Sequence, residues 1–382
     1  MHSAHRNNRT HVLNIFLMLS VSIACIVGVE LFSYFYLIVP AHMPPVLTFE
    51  PSQSPPKRLK QNANAAGYGP YREFYYRITT DTYGFRKTYP FEDNRKTYSV
   101  AILGDSQSFG VGVNDEFTFA SLIAKNLSEP VLNAACPGYN TIEEFLTYKD
   151  RIQPLKPHYV LLFFFAGNDP YENYKNRELY YGTAGGQVQN LKPLSFLERL
   201  KKFLVKRSAI YNMLIKLRQY PQLNRFLYRY KLVNPASPPE LAIFKKDENP
   251  QALAHWQITE RIISDLRDAV ESNGSQFWII FIPDRYQVDK IYWQRWISKY
   301  NLKPQDFDLI RPNWYLAEFS KRKGIHFEDT TESLIEAQNQ GKHVYWKTDA
   351  HLNGLGNQVI ADFIASRLSK QYELMGRGKE KI

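Results

Sequence analysis

The sequence predicts a three-layer α/β domain on a central parallel sheet, preceded by one transmembrane helix. Two observations predict it. Five short, almost wholly apolar runs alternate with stretches of helical spacing, and residues 12–39 form a nearly continuous apolar stretch. At roughly 100–200 residues per domain, a chain of 382 residues has room for such a domain with additions. An apolar share of 44% beside a charged share of 22% excludes a wholly disordered chain. The only cysteines, Cys25 and Cys136, exclude a disulfide framework and a cysteine-based zinc site.

Within 12–39, Ile15 to Val29 carries no charge. A bilayer core needs about 20 such residues, whereas the apolar core of a cleavable signal runs to about 7–15. No small-x-small cleavage site follows, and the chain runs into Pro40. The segment therefore reads as an uncleaved signal anchor, with a cleaved signal as the alternative. It lacks the polar face of a buried soluble helix. Arg6 and Arg9 precede it, and no Lys or Arg follows until Lys57. That asymmetry keeps residues 1–11 in the cytoplasm and puts everything past the span outside it. Glu30 is the exception in the span: it sits near the outer headgroups or meets a membrane partner.

Pro44, Pro45, Pro51, Pro55 and Pro56 punctuate 40–67, which reads as a Pro-rich linker. The folded domain is expected at 68–372, with a basic tail at 373–382. Tyr68–Arg86, rich in Tyr and Thr, reads as a hairpin or edge ahead of the sheet. The five strands are expected at Tyr98–Leu103, Val131–Ala134, Tyr159–Phe165, Gln276–Ile282 and Ile325–Phe327. Helical spacing marks Glu116–Leu127, Ile258–Glu271 and Gln358–Leu368.

A long insertion, about 170–251, separates the third strand from the fourth. Between Glu198 and Lys231 it holds ten Lys or Arg and the single acid Glu198, a net +9 of the chain's +11. Leu197, Leu200, Phe203, Leu204, Ile210, Met213, Leu214 and Leu217 accompany those charges at helical spacing. This basic amphipathic stretch reads as a solvated helical lid or a surface for anionic headgroups, with an anionic polymer third. No nucleic-acid-binding motif is present, so no nucleic-acid partner is expected.

Four short blocks carry candidate chemistry, each just past a strand or before the last helix. Val100-Ala-Ile-Leu-Gly-Asp-Ser106 ends a strand in a tight turn that exposes a hydroxyl, although a lone Ser there also caps helices. Asn133-Ala-Ala-Cys-Pro-Gly138 offers a bare backbone N–H that can approach a reacting oxygen, or a plain turn. Phe163-Phe-Phe-Ala-Gly-Asn168-Asp169 offers a side-chain amide, or a turn cluster. In Thr348-Asp349-Ala-His351, an extended Asp-x-His places both side chains on one side, so His351 can take a proton from Ser106 and Asp349 can orient it. Capping of the final helix is the plain alternative for Asp349 and Asn353. His343 is the rival base.

Together the blocks resemble the SGNH (GDSL-type) hydrolase superfamily, in order, over roughly 83–368. Thr80-Asp-Thr-Tyr-Gly-Phe-Arg86 resembles membrane-anchored bacterial members. The resemblance implies a flavodoxin-like three-layer fold, with Ser106 as nucleophile and His351 with Asp349 as base and partner. It implies an oxyanion hole from the Ser106 and Gly138 N–H groups and the Asn168 amide, with no metal or cofactor. It also implies a single-pass protein of the bacterial cytoplasmic (inner) membrane with a periplasmic domain. Two departures stand out. The spacing Asp349-Ala-His351 is one residue shorter than the usual Asp-x-x-His and resembles the branch acting on polysaccharide O-acetyl groups. Gln107 replaces the usual Leu, a change expected to affect packing and not chemistry. The expected function is a serine esterase acting on O-acetyl groups of a cell-envelope carbohydrate. The first alternative is an O-acetyltransferase using the same triad with a membrane-embedded acyl-transfer partner. The second is a non-catalytic glycan-binding or scaffold protein.

Overall fold

The computed structural model describes residues 2–32, 46–49, 54–91, 97–184, 238–247 and 249–379, with isolated positions between 196 and 230. Helix α1 is His2–Phe32. Two antiparallel pairs follow: β1 (Leu47–Phe49) with β2 (Lys57–Leu59), and β3 (Asn64–Tyr68) with β4 (Tyr75–Thr79). The α/β domain then runs β5 (Val100–Gly104), α2 (Ser106–Phe109), α3 (Phe119–Leu127), β6 (Val131–Asn133), α4 (Thr141–Thr147), β7 (Tyr159–Phe165), α5 (Asp169–Lys175) and α6 (Arg177–Ala184). It continues with α7 (Pro250–Ser272), β8 (Gln276–Ile282), α8 (Arg285–Val288), α9 (Lys290–Tyr300), α10 (Arg311–Lys323), β9 (His326–Asp329), α11 (Thr331–Asn339) and α12 (Gly354–Lys379).

The five central strands lie in the order β6-β5-β7-β8-β9, all parallel. This is the doubly wound order in which the topology reverses beside the first strand, and groups at the carboxyl ends of the strands converge there. One face of the sheet buries Leu103, Val160, Leu162, Phe164 and Ile279 against Trp256, Ile263 and Leu266 of α7 and Phe319 of α10. The other buries Ile102, Leu161, Phe163 and Ile280 against Phe119 and Ile123 of α3 and Ile360 and Ile364 of α12. Burial on both faces explains the unbroken apolar runs of β7 and β8. The fold is thus the expected three-layer α/β type, and its strand order is the flavodoxin-like one.

Several boundaries differ from expectation. The linker expected at 40–67 is in part folded: β1 and β2 pair within it, Val46 and Leu59 are buried, and β3 begins at Asn64 rather than near Tyr68. Three-residue strands between prolines carry no periodicity to read. The first strand starts at Val100, not Tyr98, and the last runs His326–Asp329, its polar end hidden from an apolar search. The helix expected from Glu116 begins at Phe119, because Thr118 caps it by accepting from the Ser121 N–H. Helix α12 continues to Lys379, through most of the expected tail. Of the insertion, α5 and α6 are described at its start. At its end Leu241, Ile243 and Phe244 are buried in the core. Its basic stretch 198–231 lies outside the described residues but for isolated positions. One of these, Ser208, donates to Glu30 at 3.2 Å. Helix α1 includes Asn14–Phe32, the one stretch among the described residues long and apolar enough to cross a membrane.

Arg86 ties the segment before the sheet to the first βα turn. Its fully buried guanidinium pairs with Asp115 at 2.8 Å and donates to the carbonyls of Phe109, Gly110 and Val113. Asp115 in turn accepts from the Thr79 N–H and hydroxyl. Removing one partner of such a pair strands the other charge and costs about 3–5 kcal/mol. Urea unfolding of the full-length chain in detergent should show that loss for Arg86→Met. The double substitution Arg86→Met with Asp115→Leu should recover part of it, since the stranded carboxylate is gone.

Candidate active site

Gly104 and Asp105 build the turn that presents Ser106. A Cβ on Gly104 would stand 2.2 Å from the Ser108 Oγ, so only glycine fits the crossing of β5 and α2. Asp105 caps α2, its carboxylate accepting from the Gln107 N–H at 2.8 Å. Ser106 is thereby the first residue of the helix, where a backbone N–H has no intrahelical acceptor. Its hydroxyl meets the His351 Nε2 at 2.9 Å. The His351 Nδ1 meets the Asp349 Oδ1 at 2.5 Å. His343, the rival base, lies exposed outside any helix or strand with its ring 3.4 Å from the Gln338 amide.

The Asp-x-His segment is not extended as the sequence suggested. It bends, and the same Asp349 oxygen that meets the imidazole also accepts the His351 backbone N–H at 2.9 Å. One carboxylate thus fixes both backbone and ring, which is how a spacing one residue short still reaches Nδ1. Asn353 caps α12, its side-chain oxygen accepting from the Gly356 N–H at 3.0 Å.

Three side chains clamp the loop that carries His351. Gln107 was expected to matter for packing alone; instead its amide brackets the imidazole. Its Nε2 donates to the Ala350 carbonyl and its Oε1 accepts from the Leu352 N–H, each at 3.1 Å. A Leu there would leave both backbone groups unpaired. Glu73 accepts from the Lys347 and Thr348 N–H groups at 2.7 and 2.8 Å and from the Thr348 hydroxyl at 2.6 Å. Partial burial works against the Glu73 carboxylate, yet these donors hold its pKa below the ordinary value. Arg285, paired with Asp289, donates to the carbonyls of Trp346, Lys347 and Asp349 at 2.5, 3.3 and 3.1 Å. None of these three has a local sequence signature. Gln107 alone was visible, as a departure from the family pattern.

Gly138 adopts φ +74° in the turn after β6, a conformation that favours glycine. That turn is tied to the first block by the Cys136 N–H, which donates to the Gly104 carbonyl at 3.1 Å. Asn168 follows β7, its Nδ2 3.4 Å from Asp105 Oδ2, leaving the second N–H of the amide available. The structure therefore brings Ser106, Asp349 and His351 into contact, and sets Asn168 against the capping Asp105. Behind them are three fully buried carboxyls, Asp105, Glu144 and Asp169. Burial, followed by the charge of Asp169, pushes Glu144 well above the ordinary carboxyl range. Burial, followed by the charge of Asp105, does the same to Asp169. Among the described residues no group of His, Cys, Asp and Glu is arranged to hold a metal ion. A cavity of about 690 Å³ lies elsewhere, between Arg58, Tyr83, Phe85 and Arg151, and none of the block residues lines it.

A parallel sheet with four such blocks at one end defines an SGNH-like fold. Consistent with this, residues 243–382 match the family model described as SGNH hydrolase-like domain, acetyltransferase AlgX. Over that segment the chain resembles an SGNH hydrolase-like domain. The matched segment holds Asp349 and His351; the other three blocks precede it. No curated protein matches the chain. Solved structures that resemble it include an acetyl xylan esterase, at 12% identity, covering 70% of this chain and 98% of that one, with a TM-score of 0.38. A GDSL-like lipase from Bacteroides thetaiotaomicron follows at 12%, covering 71% and 88%, with a TM-score of 0.36. A catalytic mutant of an acetylxylan esterase from Geobacillus stearothermophilus has 9% identity, covering 69% and 91%, with a TM-score of 0.36.

Burial disfavours the His351 imidazolium, but the hydrogen bond and charge of Asp349, with the charge of Asp105, outweigh it and raise the pKa. The Asp349 carboxylate is lowered reciprocally: burial opposes its charge, and the His351 bond and charge prevail. Titration of the His351 ring by NMR should give a midpoint above the free-imidazole value of about 6.5. Asp349→Asn should move it down, because only the desolvation and the more distant Asp105 charge remain.

Proposed function

We propose that this protein is a serine acyl-transfer enzyme acting on O-acetyl esters of a cell-envelope carbohydrate. The contact that carries the reading is Ser106 Oγ at 2.9 Å from His351 Nε2, with Asp349 on the far nitrogen. Ser106 Oγ attacks the ester carbonyl carbon while its proton passes to His351 Nε2. The charge on the carbonyl oxygen is taken by the Ser106 and Gly138 N–H groups and the Asn168 amide. As the tetrahedral adduct collapses, the ester bond breaks and the leaving sugar oxygen takes the proton from His351. An acetyl-serine remains. His351 then deprotonates an incoming hydroxyl, whose attack releases the acetyl group and returns the proton to Ser106. No cofactor enters this scheme.

With water as that hydroxyl the enzyme is an esterase, the first reading. With a sugar hydroxyl it is an O-acetyltransferase, and the match of residues 243–382 to a model described by an acetyltransferase favours this second reading. The short Asp-Ala-His spacing supports a polysaccharide substrate in either case. Helix α1 serves as an anchor with residues 1–11 in the cytoplasm and the domain outside it. The charge asymmetry around the span supports this orientation. A reporter active only in the cytoplasm, fused after residue 382, should stay silent; a bright fusion reverses the orientation.

The chemical test uses the full-length chain in detergent with a nitrophenyl acetate, with and without an oligosaccharide acceptor. Ser106→Ala should lose both turnover and labelling by a fluorophosphonate. His351→Ala should lose about 10²–10⁴-fold in rate, and Asn168→Ala about 10²–10³-fold. Transfer of acetyl to the oligosaccharide separates the two readings. Turnover that survives Ser106→Ala rules out both.

A further inference from the structure

Lys57 opens β2, in the segment that reads as a linker, and reaches the second block. Its ammonium donates to the Gly138 carbonyl oxygen. It stands 3.5 Å from Glu143 Oε1 and 5.2 Å from the centre of the Tyr139 ring. The contact is reciprocal, since the Tyr139 hydroxyl donates to the Lys57 carbonyl at 2.6 Å. Glu143 also completes the capping box of α4, accepting from the Asn140 N–H. One side chain thus binds the carbonyl of Gly138, the face of Tyr139 and the carboxylate that starts the next helix. The first two residues flank one peptide unit of the turn.

We propose that Lys57 is a positioning residue for the oxyanion hole. It fixes the Gly138 turn with its N–H toward the reacting oxygen, and it makes the β1–β2 hairpin a working part of the site. This rests on the acyl-transfer reading above. Gly138 has the widest conformational freedom of any residue type, and its positive φ is one well among several that a glycine visits. A donor that must meet an oxyanion within a few tenths of an ångström needs that freedom removed from outside. The ammonium does this through the Gly138 carbonyl. It also places a positive charge beside the turn, partly neutralised by Glu143.

The test is steady-state turnover of a nitrophenyl acetate by the full-length chain in detergent, with thermal unfolding followed by circular dichroism. Lys57→Met should lower kcat by about 10–100-fold, less than the roughly 10²–10³-fold lost with an oxyanion donor itself because the donor is loosened and not removed, with KM changed less than about threefold because the interaction is realised in the transition state. Lys57→Arg, which keeps a cationic donor, should retain most of the rate, and Lys57→Gln should fall between. Lys57→Met with Glu143→Gln removes the stranded carboxylate and should remain slow. Recovery of the rate in that double variant would assign the loss to the unpaired Glu143 and overturn the proposal. A normal kcat in Lys57→Met, or a rise in KM alone, would also overturn it. Should Lys57→Met fail to fold, the ordering Arg above Gln in kcat decides. A wild-type chain that a fluorophosphonate does not label at Ser106 fails the acyl-transfer reading itself. Labelling with an unaltered Lys57→Met rate fails this inference alone.

Discussion

Everything at the site depends on holding one imidazole 2.9 Å from a hydroxyl that lies 245 residues earlier in the chain. The hydroxyl is easy to place, because β5 and the cap of α2 present it from the middle of the sheet. The imidazole is not. The segment 346–351 is neither strand nor helix, and the closing of so long a loop costs entropy that local structure does not repay. The fold compensates with three clamps of complementary polarity. Glu73 accepts from the loop's N–H groups, Arg285 donates to its carbonyls, and Gln107 does one of each on either side of His351. Gln107 comes from the residue after Ser106, so the distance between hydroxyl and ring is set by a single dipeptide and its bonds.

The charges behind the site obey the same economy. Three buried carboxyls within one cluster would, if all ionised, oppose an oxyanion forming in front of them. Burial works against that ionisation. It pushes Glu144 and Asp169 well above the ordinary carboxyl range, each with a neighbouring carboxylate adding to the effect. Asp105 is raised as well, burial being opposed by the Gln107 N–H and by the charge of His351. Asp349 is shifted the other way: burial opposes its charge, and the bond and charge of His351 prevail. It lies on the far side of the imidazole, where it stabilises the imidazolium.

What could be read from the sequence followed burial. The strands Tyr159–Phe165 and Gln276–Ile282 match their expected limits because both faces are covered and nothing polar interrupts them. The edge strand His326–Asp329 was displaced because its last two residues are acids. Ser106 and His351, which the structure joins, were legible because each stands in a four- to seven-residue block with its own turn chemistry. Glu73, Arg285 and Lys57 were not. Each reaches backbone groups distant in the sequence, N–H donors for Glu73 and carbonyl acceptors for Arg285 and Lys57, and a backbone group has no residue identity to betray it. Gln107 stands out in the sequence as a departure from the family pattern, but its role is hidden for the same reason: its partners are the main chain at Ala350 and Leu352.

These residues share a further feature. Lys57, Glu73 and Arg86 all come from the stretch between the apolar helix and the sheet, and each reaches a different block. Lys57 holds the Gly138 turn, Glu73 holds the loop before His351, and Arg86 holds the carbonyls of Phe109 and Gly110 at the end of the helix that starts at Ser106. Two short hairpins, β1–β2 and β3–β4, carry the first two, and Arg86 follows the second. Small antiparallel pairs are marginal on their own, so their stability comes from the contacts they make with the α/β domain. The dependence is mutual: the blocks are set by a brace that the blocks themselves stabilise. A segment of that kind is not a tether. Each hairpin carries a different constraint on the site, on the Gly138 turn in one case and on the His351 loop in the other.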